Sequence, residues 1–269
     1  MIKIIFTDMD GTFLDSTGTY NKAYFKEVYR KIKEQNIIFV PCSGKQCERI
    51  EELFDDYGEE LHIIGDSAAR IKYRGKYIYE ALLDNNTAKE IIKDFSAQYD
   101  VAIVACTSEG AYVKDTISEE DFKVIRHSYA IVKKIKDYAE LTDNFIKVSI
   151  YDKKKRCFTI LKDLKKYADR AYIVASEDAW IDITHKKVHK GAAIKWLIEH
   201  LHLNRAEAMG FGDGPNDIEL INEVEYSFSV SNAVDELKEK SFFITKSNDE
   251  DGVLKTIDMI LKLQEVIHE

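Results

Sequence analysis

The chain has 269 residues, 45% of them hydrophobic, and a formal net charge of -9 at pH 7. This length is enough for one large core, or for a core domain with a smaller second domain, which is the better expectation. The acidic balance argues against broad binding to nucleic acid or anionic membranes. Because no apolar run approaches the length of a membrane span and residues 1–7 do not form a signal peptide, we expect a cytoplasmic protein that acts on a small molecule.

The four cysteines are scattered along the chain, at Cys42, Cys47, Cys106 and Cys157. They form no C-x-x-C pair and have no histidine cluster nearby. This spacing indicates neither a zinc site nor a disulfide framework. We expect reduced, mostly buried thiols.

The first third of the chain alternates between strand-like and helix-like patterns. Short β-branched and apolar runs predict strands, and stretches of helical period predict helices. The predicted order is a strand at 2–7, a helix at 21–35, a strand at 37–40, a helix at 46–57, a strand at 62–64 and a hairpin at 69–79. Such alternation is typical of a parallel sheet with helices on its faces.

The pattern changes near residue 82 and returns after residue 190. The middle part contains a predicted helix at 87–99, strands at 101–106 and 111–114, and a hairpin at 171–184. Later helices are predicted at 192–200, after 215, from 233 and at the end of the chain, with strands at 206–211, 226–230 and 242–245. We therefore predict a doubly wound, mainly parallel Rossmann-like α/β core from residues 1–81 and 185–269, and an inserted α+β domain at 82–184.

Two aspartates follow the first predicted strand, and Gly11 comes directly after them. Asp8 and Asp10 are two residues apart, so on extended chain they project to the same side, at the sheet edge where α/β proteins bind ligands. Two carboxylates placed in this way can share a metal ion, or one can attack while the other transfers a proton. A solvated turn explains the same residues equally well when they are taken alone.

A second acidic cluster, Gly212-Asp213-Gly214-Pro215-Asn216-Asp217, follows another short strand and opens a helix. Its glycines allow tight backbone geometry around an ion, and carboxylates from two strand ends suit the oxygen shell that Mg²⁺ prefers. The alternative is an N-capping aspartate with loop glycines.

Two further segments offer groups that suit an anion. Ser43 and Gly44 provide a hydroxyl and backbone N–H groups after the second strand, although an ordinary helix N-cap is the more common use of such a serine. Lys190 precedes Gly191 at the start of a helix, where an ammonium group can neutralise a phosphoryl group, but alone it is simply a surface lysine.

Together the four segments resemble the four motifs of the haloacid dehalogenase (HAD) superfamily. They are Phe6-Thr7-Asp8-Met9-Asp10-Gly11-Thr12, Ser43-Gly44, Lys190-Gly191 and Gly212-Asp213-Gly214-Pro215-Asn216-Asp217. The insertion of about 100 residues between the second and third motifs resembles the Cof-type subclass, whose cap domain enters there. The likeness covers essentially the whole chain.

The resemblance implies a role for each matched residue. Asp8 attacks phosphorus and forms an aspartyl-phosphate, while Asp10 protonates the leaving alcohol and then activates water. Mg²⁺ is bound by Asp8, the Asp10 carbonyl and Asp213, with support from Asp217.

The resemblance also assigns the substrate contacts. Ser43, Gly44 and Lys190 hold the phosphoryl oxygens, and Asn216 orients neighbouring groups. Two segments depart from the family pattern: Ser43-Gly44-Lys45 stands where relatives usually have Thr-Gly-Arg, and Asp66-Ser67-Ala68 where they have Asn-Gly-Ala. Because lysine does not reproduce the guanidinium fork, these departures bear on substrate preference more than on the chemistry.

The expected function is hydrolysis of a small phosphorylated metabolite, and the expected class of substrate is the sugar phosphates. We expect a monomer or a weak homo-oligomer. One alternative keeps the chemistry but passes the phosphoryl group to a second hydroxyl, as in a phosphomutase or phosphotransferase. A second alternative is a catalytically weak binding or regulatory protein that retains the fold and metal.

Overall fold

The computed structural model describes the backbone of residues 1–268 and the side chains of all these except 176, 177, 267 and 268. Two compact units make up this part of the chain. The first contains residues 1–43, 56–63 and those from Lys190 onward, and the second contains residues 44–55 and 64–189.

The strands of residues 1–268 are, in chain order, β1 (Ile4–Asp8), β2 (Ile38–Cys42), β3 (Ile63–Gly65), β4 (Arg70–Tyr73), β5 (Lys76–Glu80), β6 (Ala102–Thr107), β7 (Gly110–Lys114), β8 (Val132–Ile135), β9 (Lys147–Tyr151), β10 (Ala171–Glu177), β11 (Trp180–His185), β12 (Ala208–Gly212), β13 (Tyr226–Val230) and β14 (Phe243–Thr245). The α-helices of the same part are α1 (Lys22–Glu34), α2 (Cys47–Leu53), α3 (Asn85–Gln98), α4 (Glu119–Ser128), α5 (Cys157–Leu164), α6 (Lys190–His200), α7 (Ile218–Asn222), α8 (Asp235–Lys240) and α9 (Gly252–His268). Short 3₁₀ turns lie between several of them.

The sheet of the first unit is parallel. Strands β14, β13, β12, β1 and β2 are hydrogen-bonded in this order, and each pair runs in the same direction. All five residues of β1 are buried, which explains its continuous apolar run, since strands of a parallel sheet are covered on both faces. The carboxyl ends of these strands therefore meet at one edge.

Helix α1 shows why the predicted helices form. Asn21 is its N-cap, and the Asn21 side chain accepts a hydrogen bond from the Tyr24 N–H. Its buried residues recur at helical spacing and form one apolar stripe. They are Phe25, Val28, Tyr29 and Ile32.

The second unit contains a separate mixed sheet in the order β10-β11-β9-β6-β7-β8. Its pairs are antiparallel except for β7 and β8, which are parallel. Helices α3 and α5 contribute Ile91, Phe95, Ile160 and Leu164 to a buried core shared with β6, β9 and β11. The predicted α/β fold with a mainly parallel core sheet and an inserted α+β domain is confirmed.

Helix α2 is shorter than the predicted helix at 46–57. It ends at Leu53, and a 3₁₀ turn at Asp55–Glu60 follows. Asp55 has a φ of 49°, a left-handed conformation that an α-helix does not continue through. The predicted hairpin around Arg74 and Gly75 is present, and both residues have the positive φ that tight hairpin turns need.

In the part of the chain that the structure describes, no helix combines the length and the apolar character that crossing a membrane requires.

Candidate active site

The predicted site residues of the first unit come from successive strand ends. Asp8 is the last residue of β1, Ser43 follows β2, and Asp213 follows β12. Because β12, β1 and β2 are parallel neighbours, these residues lie at the same sheet edge. Lys190 is the first residue of α6.

Three carboxylates form a compact acidic cluster. One oxygen from each of Asp8, Asp213 and Asp217 lies within 4.8 Å of the others. The ammonium of Lys190 donates to Asp8 Oδ1 at 2.5 Å and also to Asp217 Oδ1. Asp8 is 6% exposed, Lys190 is 8% exposed and Asp217 is fully buried, so these ion pairs are withdrawn from water. Lys190 is therefore part of the cluster and not a surface lysine.

The cluster carries more negative charge than its lysine balances. Burial raises the pKa of Asp8 well above its ordinary value, and repulsion from Asp217 raises it further against the opposing effect of Lys190. Burial and Asp217 raise the pKa of Asp213 to about 6. Burial alone would lower the pKa of Lys190, but attraction to Asp217 and Asp8 raises it, so Lys190 stays charged.

Backbone and side-chain hydrogen bonds fix the carboxylates. Asp217 Oδ2 accepts from the N–H groups of Asp213 and Gly214, both at 3.0 Å. Asp213 Oδ1 accepts from Thr12 Oγ1 at 2.7 Å. Gly11 has a φ of +80°, and a Cβ on it would lie 2.5 Å from Asp213 Oδ2, so only glycine allows this close approach.

Asp10 and Ser43 are neighbours in the first unit. Asp10 is exposed, whereas Ser43 is 2% exposed, and Ser43 Oγ is 3.5 Å from Asp10 Oδ2. Gln46 is the N-cap of α2, so Ser43 does not have the alternative role of capping that helix. The Asp10 side chain is not part of the three-carboxylate cluster.

The loop after β12 places Asn216 beside the glycines. A Cβ on Gly214 would lie 2.6 Å from Asn216 Oδ1. Pro215 opens a 3₁₀ turn, Pro215–Asp217, that precedes α7. Gly44, the other predicted substrate-binding residue, belongs to the second unit.

Two residues that support the site received no role from the sequence. Thr12 holds Asp213, and Asn232 Nδ2 donates to the Gly11 carbonyl at 2.8 Å. Thr12 belongs to the first of the four motifs, so its polar side chain could have indicated a supporting role in the site. Asn232 follows β13, and the same argument from strand ends that found Asp213 would have found it.

The donor set fits a divalent cation. Hard oxygen ligands suit Mg²⁺, and the three carboxylates exceed the single ammonium by two negative charges. Burial, and then repulsion from Asp217, raises the pKa values of Asp8 and Asp213. Asp8, Asp213 and Asp217 are thus the residues that would hold the ion.

The fold and this site define an α/β enzyme of phosphoryl transfer. Comparison with known proteins agrees: the model of the Hydrolase_3 family, haloacid dehalogenase-like hydrolases, matches residues 5–257. The chain belongs to this family, in its Cof-type subfamily with a cap domain, and it is a phosphatase of the HAD superfamily.

Curated relatives are similar over nearly their full length. The chain is 28% identical over 262 residues to the 5-amino-6-(5-phospho-D-ribitylamino)uracil phosphatase YbjI of Escherichia coli, covering 97% of each chain. It is 26% identical over 292 residues to the Bacillus subtilis phosphatase YwtE, which carries the same description, covering 98% of this chain and 99% of YwtE. The solved structure of SMU.1108c from Streptococcus mutans is 30% identical and superposes with a TM-score of 0.91, covering 97% of this chain and 100% of that one.

Proposed function

We propose that the protein is a Mg²⁺-dependent phosphatase that hydrolyses small organic phosphate monoesters through an aspartyl-phosphate on Asp8. The observation that carries this proposal is the buried Asp8 carboxylate at the end of β1, in contact with Lys190 and beside Asp213 and Asp217. A carboxylate attacks phosphorus well only where positive charge offsets that of the phosphoryl group, and Lys190 supplies such charge.

The first step forms the covalent intermediate. An Asp8 oxygen attacks phosphorus, the bond from phosphorus to the ester oxygen breaks, and Asp10 gives its proton to the leaving alcohol. Asp10 is exposed, so its carboxyl group is accessible to the leaving group of a substrate that enters from solvent. Ser43 and the Gly44 N–H hold phosphoryl oxygens, Lys190 neutralises them, and Asn216 orients the loop.

The second step regenerates the enzyme. Asp10, now ionised, takes a proton from water, the water oxygen attacks phosphorus, and the bond between phosphorus and the Asp8 oxygen breaks to release inorganic phosphate. Asp8, Asp213, Asp217 and the Asp10 carbonyl would hold Mg²⁺, which would supply charge that offsets the phosphoryl oxygens.

For the substrate we propose a sugar phosphate or a phosphorylated sugar alcohol. Two relatives that align over almost all of this chain are described as phosphatases of 5-amino-6-(5-phospho-D-ribitylamino)uracil, an aminouracil that carries a phosphorylated ribityl chain. The inserted domain at 82–184 is the proposed selectivity element, because the matched catalytic motifs all lie outside it. A phosphomutase would need a second phosphate-binding site, so we propose hydrolysis as the reaction and keep the phosphomutase as the alternative.

A screen of phosphorylated metabolites tests this proposal. Wild type is assayed with Mg²⁺ and with EDTA, beside the Asp8→Asn and Asp10→Asn variants. We expect Mg²⁺-dependent release of phosphate from sugar and sugar alcohol phosphates, and a loss of at least about a thousandfold in kcat for Asp8→Asn. Turnover that survives EDTA, or full activity of Asp8→Asn, contradicts the mechanism. Transfer to an added sugar in place of water favours the phosphotransferase.

A further inference from the structure

Lys147 is a buried cation of the second unit that the mechanism does not use. It is the first residue of β9 and is 1% exposed. Its ammonium donates to the Gly44 carbonyl at 2.6 Å, to Ser67 Oγ at 3.0 Å and to Asp182 Oδ1 at 3.2 Å. An ammonium has three donors, so these three acceptors satisfy it fully. Burying a charge is costly unless it is paired and hydrogen-bonded, as Lys147 is here.

Further polar side chains hold Asp182 in place. Asp182 Oδ1 also accepts from Ser149 Oγ at 2.5 Å, and Ser149 Oγ accepts from the Tyr129 hydroxyl at 2.8 Å. The Tyr129 ring lies 5.2 Å from the Lys147 ammonium, within range of a cation–π interaction. Burial alone would lower the pKa of Lys147, but the Asp182 carboxylate raises it, so Lys147 remains an ammonium.

Gly44 packs closely against the hydrogen-bond network of Lys147 and Asp182. A Cβ at this position would lie 3.3 Å from Asp182 Oδ2 and 3.6 Å from Ser67 Oγ. Glycine has the largest freedom of rotation about φ and ψ, so an anion-binding N–H on a glycine needs an external restraint to keep its direction. Lys147 provides this restraint through the Gly44 carbonyl. One peptide bond joins Gly44 to Ser43, and the restraint therefore acts on both residues.

The segment that supplies Ser67 is strained. Asp66, Ser67 and Ala68 have φ values of 52°, 56° and 69°, three successive left-handed residues. A left-handed conformation is unfavourable for residues other than glycine and persists only where the surrounding structure holds it. The Asp66 N–H donates to the Lys45 carbonyl at 2.7 Å, so this segment is fixed to the residue after Gly44. Both segments that depart from the family pattern thus meet at Lys147.

We propose that Lys147 is a positioning residue for Ser43 and Gly44, the segment assigned above to the phosphoryl oxygens. This inference rests on the proposed function. Lys147 makes no contact with substrate in this account. It sets the direction of the Gly44 N–H and of the Ser43 side chain, which stabilise the charge of the transition state. Loss of that direction lowers kcat more than it raises KM, because oriented donors contribute most when charge develops.

The Lys147→Met variant tests the proposal against a matched control. Lys154→Met removes another lysine of the second unit, whose ammonium forms an exposed pair with Asp100. With a phosphate ester that wild type hydrolyses, we expect kcat of Lys147→Met to fall by about tenfold to a hundredfold, and Lys154→Met to keep the wild-type kcat. Ser67→Ala removes one acceptor and keeps the cation, so a smaller loss of kcat is expected there.

A double-mutant cycle separates positioning from a structural role. If Lys147 acts through the 43–44 segment, the loss caused by Lys147→Met becomes several times smaller when Ser43 is already alanine, because coupled residues are not additive and only the Gly44 N–H is left to position. The same factor in both backgrounds, or a wild-type kcat in Lys147→Met, overturns the proposal.

Three further outcomes have a defined meaning. If Lys147→Met does not fold, Ser67→Ala carries the test, and an unchanged kcat in that folded variant overturns the positioning role. If Asp8→Asn retains full turnover, or wild type hydrolyses no phosphate ester, the proposed function fails and this inference fails with it. If wild type is active, Asp8→Asn is inactive and Lys147→Met is fully active, the proposed function stands and only this inference fails.

Discussion

At the scale of single residues, two glycines differ in how close a side chain at their position would lie to neighbouring atoms. Gly11 and Gly18 have nearly the same left-handed backbone, with φ values of +80° and +77°. Only Gly11 is crowded: a Cβ there would meet Asp213 Oδ2 at 2.5 Å, whereas nothing lies within 4 Å of a Cβ at Gly18. The two glycines therefore separate backbone strain from contact with the acidic cluster.

Gly11→Ala should lose activity while Gly18→Ala keeps it. Both variants carry the cost of a left-handed alanine, about 1 kcal/mol in the free energy of unfolding. In Gly11→Ala the added methyl also displaces the Asp213 carboxylate, so we expect kcat/KM to fall by at least about a hundredfold. Steady-state kinetics and urea unfolding of both variants check this, and equal kcat/KM values for the two would count against the contact.

Asp66 gives a pH dependence of stability. It is 2% exposed, and its Oδ2 finds no hydrogen-bond partner among the described residues. Burial raises the pKa of Asp66 from 3.8 to about 6, despite attraction to Lys147 and Arg70. Because the folded protein holds this proton more tightly than the unfolded chain, stability falls as the pH rises between these two values.

Asp66→Asn should remove this fall. The amide is neutral at every pH, so the contribution of up to about 3 kcal/mol that wild type loses between pH 3.8 and about 6 is absent from the variant. Denaturant unfolding across this range measures the difference in free energy of unfolding between the two proteins. A difference that stays constant with pH would show that Asp66 titrates normally.

At the scale of elements, the sequence predicted the strands and helices that are marked by a local residue pattern. Strand β1 was found from its apolar run, and α1 from its periodicity. The early end of α2 depends on the left-handed Asp55, which periodicity does not report. Lys147 contacts Gly44 across 103 positions, and no motif or spacing marks that pairing. The placement of Asp8 and Asp213 at one sheet edge was predictable because Asp8 ends β1 and Asp213 follows β12.

Helix α1 offers a test of local stabilisation. Asn21 Oδ1 accepts from the Tyr24 N–H at 3.1 Å, which satisfies one of the free donors at the start of the helix. Asn21→Ala should lower the free energy of unfolding by about 1 kcal/mol, and Asn21→Ser should restore most of it, since serine caps nearly as well. Urea unfolding of the three proteins checks the order. An alanine variant as stable as wild type would rule the cap out as a contributor.

At the scale of the whole molecule, an α/β core provides chemistry at one sheet edge and a second unit has its own sheet and core. The sequence predicts a core with an inserted domain because strand and helix alternation stops near residue 82 and returns after residue 190. The roles of the site residues and the exact limits of the inserted domain stay predictions.

Mg²⁺ should stabilise the folded protein through the acidic cluster. An ion that binds only the folded state raises the free energy of unfolding by about 2.7 kcal/mol at a hundred times its Kd. Thermal unfolding with and without Mg²⁺ should therefore show a higher Tm for wild type with the ion. Asp213→Asn should lose most of that rise, while Asp249→Asn, an exposed aspartate outside the cluster, should keep it. Equal rises in both variants would place the ion elsewhere.

The most direct measurement is the site of the covalent phosphoryl group. With para-nitrophenyl phosphate, whose leaving group departs without a proton, Asp10→Asn slows mainly the step in which water attacks, so acid quenching of this variant during turnover should trap the intermediate. Peptide mass spectrometry should then find one phosphoryl group on Asp8, and none when Asp8 is also replaced by asparagine. A phosphoryl group on another residue, or turnover by the same variant with no trapped group, would contradict the assignment of Asp8 as the nucleophile.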